Sequence, residues 1–288
     1  KQRVANPKAG EPHEPPSRLP YGEWKPVSIE PHPGNTAMSA WPGDAQPLIR
    51  LLGQCRIGDA GRLAYRKGWA LLAYLAIERP RIHRRSRIPA MLWPDLAQGA
   101  ALTNLRQVLA DLNRAIVAAA GEGVLLIDRE NVHLCPDASQ GLFDIDLLEP
   151  VQGVGNRARE WLEDAGELLE GVALEHSDEF CEWLPGARAW ALQRLLKALE
   201  RAREDAAACQ ELDVAVNLCR RHVMLDPWNE SQQRSLMRLY AQRGEPDMAL
   251  HCYQTLARGL EQELAVKPQT ATHTLALEIA QRHAHAAS

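Results

Sequence analysis

The sequence has no long apolar run. Charged residues interrupt every candidate well before the ~18 residues that a membrane span needs, so no membrane partner is expected. Its six cysteines (Cys55, Cys135, Cys181, Cys209, Cys219 and Cys252) include no CxxC pair. A zinc site wants two close ligands on one turn or hairpin, so no metal is expected. Scattered among apolar neighbours, reduced cysteines act as small hydrophobes, which fits a cytoplasmic protein. The ten histidines form no HExxH. There is no GxSxG nucleophile elbow, no GxGxxG behind a strand and no GxxxxGK[ST] loop to cradle phosphates. Carboxylates alternate with arginine, as in "ERARED" from Glu200, which is how solvated helix faces look. These absences exclude the usual site chemistry, and neither an enzymatic activity nor a cofactor is expected.

What is present is ordinary for a packed protein: 45% hydrophobic and 24% charged residues over 288 positions, room for about two domains at roughly 150 residues each. The chain opens at Lys1 on polar, Pro-rich residues without a signal peptide's apolar core, and is read as an internal fragment. Its net charge of −4 hides an asymmetry. Residues 50 to 114 carry twelve basic against four acidic residues, whereas residues 150 to 288 carry fifteen against twenty-one. The change of sign marks two modules, the basic one first.

Residues 1–46 are dense in Pro and Gly and lack an apolar period; such a segment reads as an arm or linker. Residues 47–149 read as a small α+β domain. "LIRLLGQCRI" and "RLAY" are strand-like around a "GDAG" turn. "KGWALLAYLAIERP" follows as a helix ended by Pro80, then "RIPAML" as a short helix with Ile88, Met91 and Leu92 inward, stopped by Pro94. Asp95 suits the N-cap of a third helix. Leu105, Val108, Leu109, Leu112 and Ile116 fix that helix's buried stripe. "VLLIDRENVHL" is a hairpin with a polar tip. This order is that of a winged helix-turn-helix.

Residues 150–288 are helical in pattern from about Asn156, and they repeat. Asp213-Val-Ala-Val aligns with Asp247-Met-Ala-Leu at an offset of 34 residues, the tetratricopeptide period. Ala215 and Ala249 fall where two helices must approach closely. Trp183 and Trp190 are expected to anchor the first helix pair, and Trp228 to lie on the surface. The fold class is therefore mainly α: a small α+β winged helix-turn-helix followed by an all-α, tetratricopeptide-like repeat domain.

The outward face of the third helix carries Thr103, Asn104, Arg106, Gln107, Asp111, Asn113 and Arg114. Arg106 has the donors for guanine, Asn104 or Gln107 the amide for adenine, Thr103 a methyl for thymine, and Arg114 a charge for phosphate. Arg84, Arg85 and Arg87, with Arg81 and His83, crowd the entry of the preceding helix, where a phosphate strand would pass. Arg129 and Asn131 at the hairpin tip suit a minor groove. Each set also has a plain reading as a solvated surface, and Asp111 opposes a phosphate backbone. Double-stranded DNA is the partner expected. The alternative is a protein-interaction adaptor whose winged helix does not read DNA, with a peptide or small ligand in the repeat groove.

"KGWALLAYLAIERPRIHRRSRIPAMLWPD…TNLRQVLADLNRAI" resembles the winged helix of SARP-type bacterial transcriptional regulators. "DEFCEWLPGARAW" and "LCRRHVMLDPWNESQQRSLMRLYAQRGEPDMALHCYQTLARGLEQELAVKP" resemble the bacterial transcriptional activator domain of that family. The resemblance implies sequence-specific DNA binding, activation more than repression, a homodimer on DNA and contact with RNA polymerase. It places Arg106, Gln107, Asn113 and Arg114 on the recognition helix and Arg129 on the wing. It also implies basic residues at positions 111 and 113, where this chain has Asp111 and Asn113.

Overall fold

The computed structural model describes residues 47–58, 63–149 and 156–286; the arm expected over 1–46 lies outside them. Strands β1 (Ile49–Arg50) and β2 (Arg56–Ile57) pair antiparallel, with Ile49 opposite Ile57. They turn at Gly53, whose φ of +76° belongs to the left-handed region that a Cβ disfavours. Of the strand expected at "RLAY", the described residues 63–65 form none. The Tyr65 carbonyl accepts from the N–H groups of Gly68 and Trp69 and so opens helix α1 (Arg66–Ile77) instead of joining a ladder.

Next comes a strand that no apolar period announces, β3 (His83–Arg84). Helices α2 (Ile88–Leu92) and α3 (Gln98–Ala120) follow, then the hairpin of β4 (Leu125–Ile127) and β5 (Asn131–Leu134). β3 pairs with β5 and β5 with β4, giving a three-stranded antiparallel sheet in the order β3-β5-β4. Ile88, Met91 and Leu92 are buried, as is the whole expected stripe of α3. Asp95, however, is not the cap of α3. Trp93 and Leu96 close a turn, the Asp95 carboxylate lies 3.9 Å from His176, and the helix starts behind Ala97 with no side-chain cap.

A short helix α4 (Pro136–Ser139) and a 3₁₀ turn (Asp144–Leu148) lead to the helical region. That region comprises α5 (Asn156–Asp164), α6 (Asp178–Ala208), α7 (Leu212–Leu225), α8 (Glu230–Gln242), α9 (Pro246–Leu264) and α10 (Thr270–Ala286). The two alanines of the 34-residue offset, Ala215 on α7 and Ala249 on α9, are both 0% exposed. Close helix contact at those points leaves no room for a larger side chain.

Helical pattern does not run unbroken from Asn156. Residues 165–177 are irregular, and they bind the two parts of the chain together. Leu168 bridges to Leu52, the Leu169 N–H donates to the Leu51 carbonyl at 2.8 Å, and the Gly53 N–H donates to the Glu167 carbonyl at 2.8 Å. A Cβ on Gly166 would stand 2.5 Å from the Gly53 Cα, so only glycine fits this crossing. The Ser177 hydroxyl donates to the Leu92 carbonyl at 3.2 Å.

Trp183 departs from its expected place within a helix pair. Its Nε1 donates to Glu78 at the end of α1 at 3.2 Å, and its ring meets the Tyr74 ring edge-on. Trp190 lies beneath the guanidinium of Arg194, which bonds Glu149. Asp144, fully buried, accepts the N–H groups of Leu51 and Leu52 at 2.9 Å. Burial pushes its carboxyl up to about 7 against the pull of those donors. The apolar core is consequently continuous from Ile49 to Ile279.

Candidate nucleic-acid interface

At 100° per residue, the buried stripe of α3 sets the direction of its opposite face. Thr103, Gln107, Ala110 and Arg114 point straight outward. Arg106 and Asn113 lie on one flank, Asn104 and Asp111 on the other. Thr103, Asn104, Arg106, Gln107, Ala110 and Arg114 are exposed, whereas Asp111 and Asn113 are half-buried. The small Ala110 at the centre of this line lets a helix approach the floor of a groove ~12 Å wide.

The side chains on this face are not equivalent. The Thr103 hydroxyl donates to the Gly99 carbonyl at 2.9 Å, which leaves its methyl as the outward group. Gln107 Nε2 donates to both Asp111 oxygens, at 3.2 and 3.1 Å, and Arg114 Nη1 donates to the same carboxylate at 3.0 Å. The charge of Asp111 is thus matched within the helix by Arg114 at i+3, and Gln107 at i−4 adds a neutral donor. The spacing Gln-x₃-Asp-x₂-Arg was the signal for this network, which a residue-by-residue reading of the face passes over. Arg106 has no side-chain partner among the described residues.

The basic cluster links the sheet to α2. Arg84 sits in β3 opposite Asn131 of β5, and the chain turns through Arg85 and Ser86 to Arg87, whose N–H donates to the Arg84 carbonyl. Arg85 is turned toward the β4–β5 hairpin, the expected wing: its backbone N–H donates to the Glu130 carbonyl and its Nη1 to the Asp128 carbonyl at 2.6 Å. The wing tip is itself built around Asp128, whose carboxylate accepts the N–H groups of Glu130 and Asn131 at 2.7 Å. Those bonds, from Asn131 first and then Glu130, hold the Asp128 carboxyl below its ordinary range. Asn131 is half-buried and its amide contacts Asp128 at 3.4 Å, so it serves the tip's shape. Arg129 stands exposed at that tip without a side-chain partner among the described residues. The structure therefore pairs Arg84 with Asn131 in the sheet and places Arg85 just after β3 and Arg129 in the β4–β5 turn. Among the described residues no hydrogen bond or ion pair joins that sheet to the outward face of α3.

His83, the one buried member of the cluster, packs its ring 4.8 Å from Tyr74. Burial, aided by nearby Arg81, lowers its pKa to about 4, so the imidazole is neutral at pH 7 and adds no charge to the surface. Away from this face, a cavity of about 590 Å³ lies beside the start of α6, lined by Glu167, Phe180, Cys181, Leu184, Pro185 and Arg188 among others. The described residues hold no cluster of His, Cys, Asp or Glu able to bind a metal.

Residues 148–280 match the bacterial transcriptional activator domain. No curated protein matches the chain in sequence. Among solved structures, Mycobacterium tuberculosis EmbR in complex with a low-affinity phosphopeptide is similar in fold, with a TM-score of 0.54 at 19% identity. The match covers 81% of this chain and 65% of that one, so it spans less than two thirds of EmbR's length. The region matched to the bacterial transcriptional activator domain, residues 148–280, is joined by the buried seam to the small sheets and the helices α1 to α3 that precede it.

Proposed function

We propose that this chain is a SARP-type transcriptional regulator that reads double-stranded DNA, with α3 in the major groove, Arg84 and Arg87 on phosphates and Arg129 of the wing in a minor groove. Arg85 shapes the wing and supports its approach, as does Asn131. Arg106, Gln107 and Thr103 meet base edges, Asn104 and Asn113 flank them, and Arg114 adds a phosphate contact. One observation carries the reading. Arg84, Arg87, Arg106 and Arg129 lack side-chain partners among the described residues, and all four lie on the helix-turn-helix and its wing. Unpaired cations on such a scaffold are what a phosphate backbone requires.

The helical region then serves activation, as a homodimer contact and a surface for RNA polymerase, in a cytoplasmic protein without catalytic chemistry of its own. Its effector is a peptide or small ligand held in the repeat groove, in keeping with the phosphopeptide bound to EmbR. No helix among the described residues is long and apolar enough to cross a membrane.

The test is selection of bound fragments from random DNA at two salt concentrations, with an Arg106→Ala, Gln107→Ala variant alongside. A motif enriched by wild type and lost in the variant is the expected result. Salt-sensitive binding without a motif would leave only the phosphate contacts. One observation favours a second reading, that of a protein-interaction adaptor: Gln107 and Arg114 already bond Asp111. Absence of DNA binding at both salt concentrations would select it.

A further inference from the structure

We propose that Asp111 is a positioning residue for base reading: it fixes the amide of Gln107 and draws Arg114 back along α3. The inference rests on the DNA-reading function proposed above. An ionised carboxylate can only accept hydrogen bonds. Gln107 must therefore turn Nε2 toward Asp111 and Oε1 away from it, so its amide orientation is dictated by chemistry. Asp111 lies on the flank of the helix with its side chain 20% exposed, and Gln107 lies on the outward line, where the groove floor would be. One Gln107 N–H is engaged by Asp111. The other, together with Oε1, forms the donor–acceptor pair that matches the N7 and N6–H edge of adenine. A glutamine without such a neighbour must be ordered when DNA binds; here one of its two amide orientations is selected beforehand.

The same carboxylate acts on Arg114, whose side chain is 75% exposed yet bonded at 3.0 Å to Asp111. Held there, Arg114 has a donor fewer for phosphate. Asp111 thus trades general affinity for discrimination, which accounts for a carboxylate on a surface otherwise suited to a polyanion.

Two substitutions separate these effects. In Asp111→Asn the new side chain both donates and accepts, so Gln107 loses its fixed orientation while the shape of the face is kept. Measured on the selected site and its single-base variants, Asp111→Asn should lose roughly tenfold discrimination at one base pair, the same pair that Gln107→Ala relaxes. The double variant should lose no more than either alone. Affinity for unrelated DNA should rise severalfold and its salt dependence steepen by about one phosphate contact. A uniform rise in affinity with base preference unchanged would overturn the proposal and leave Asp111 as a charge only. A second measurement needs no DNA: the Gln107 side-chain amide resonances should shift in Asp111→Asn and not in Asn104→Ala. Unmoved resonances would overturn the positioning role even if DNA is read. Failure of wild type to enrich any motif would overturn the DNA reading itself, and this inference with it.

Discussion

The arginines of α6 and three of the first module, Arg84, Arg106 and Arg129, have opposite fates. On α6 and its surroundings they act as tethers. Arg188 donates to the Leu168 and Leu169 carbonyls at 3.0 and 3.1 Å, Arg201 to the Leu148 carbonyl at 3.1 Å, and Arg194 to Glu149. Each of these bonds fastens the long helix to the chain segments that lead back to the first module. On β3, α3 and the wing tip, Arg84, Arg106 and Arg129 make no such bond among the described residues. Arginine content alone therefore does not locate a binding face. Within the first module, the arginines whose donors remain unmatched after folding are the candidates for contact with a polyanion.

The largest way to break this contrast is to loosen the first module's side of the seam, at Leu51 and Leu52, without touching an arginine. Asp144→Ala leaves the buried N–H groups of Leu51 and Leu52 without their acceptor and should cost about 2–5 kcal/mol. Denaturant unfolding followed by both near-ultraviolet and far-ultraviolet dichroism should show a single transition moving as a whole. Two transitions, only one of them displaced, would show that the modules unfold independently.

Two glycines sharpen the same point. In Gly166→Ala the new Cβ would meet the Gly53 backbone, which cannot yield, and about 1–3 kcal/mol of stability should be lost. In Gly259→Ala it would meet the ring edge of Trp228 at 2.9 Å. That ring is 40% exposed and free to tilt, while alanine gains up to about 1 kcal/mol of helix propensity over glycine. The melting temperature should fall for the first and barely move for the second.

The arginines themselves come next. Arg188→Ala should destabilise by about 1–3 kcal/mol, since it leaves two backbone carbonyls without their charged donor. Arg106→Ala and Arg129→Ala should stay within about 0.5 kcal/mol of wild type and act on DNA affinity alone. A stability loss at Arg106 equal to that at Arg188 would erase the distinction between tether and reader.

The shallowest effect is expected from pH, because two buried groups oppose one another. Asp144 has its native pKa raised to about 7, so the folded state keeps a proton that the unfolded chain releases above about 4. Its contribution is full at low pH and is lost as pH rises through about 7. His83 has its native pKa lowered to about 4, so the unfolded chain takes up a proton first. Its contribution is full above about 6.5 and is lost as pH falls toward 4. Between these limits wild-type stability should change little. His83→Phe should unmask a decline with rising pH, and a flat profile in that variant would refute the Asp144 assignment.

Much of the architecture was legible in the residues. The α3 stripe from Leu105 to Ile116 obeys helical spacing and is buried throughout, because one face of an amphipathic helix has to leave water. The 34-residue offset likewise placed Ala215 and Ala249 at close helix contacts, since a repeated packing demand leaves a repeated residue. Strand β3 was not legible: two residues carry no period, and His83 and Arg84 become a strand only because β5 offers them an edge. Nor was the place of Trp183, whose partner Glu78 lies 105 residues away in sequence. At the candidate interface, residue types were readable but their engagement was not. Arg85 and Arg106 look alike in a sequence, and only the first meets the wing's carbonyls.

By itself the sequence determined most of the helices, their inward faces and the 34-residue offset, because each depends on local spacing or on a run of neighbouring residues. The tertiary structure alone decided the buried seam, the third wing strand, and which charged groups remain unmatched. Those depend on partners brought together from distant parts of the chain, and local pattern carries no record of such meetings.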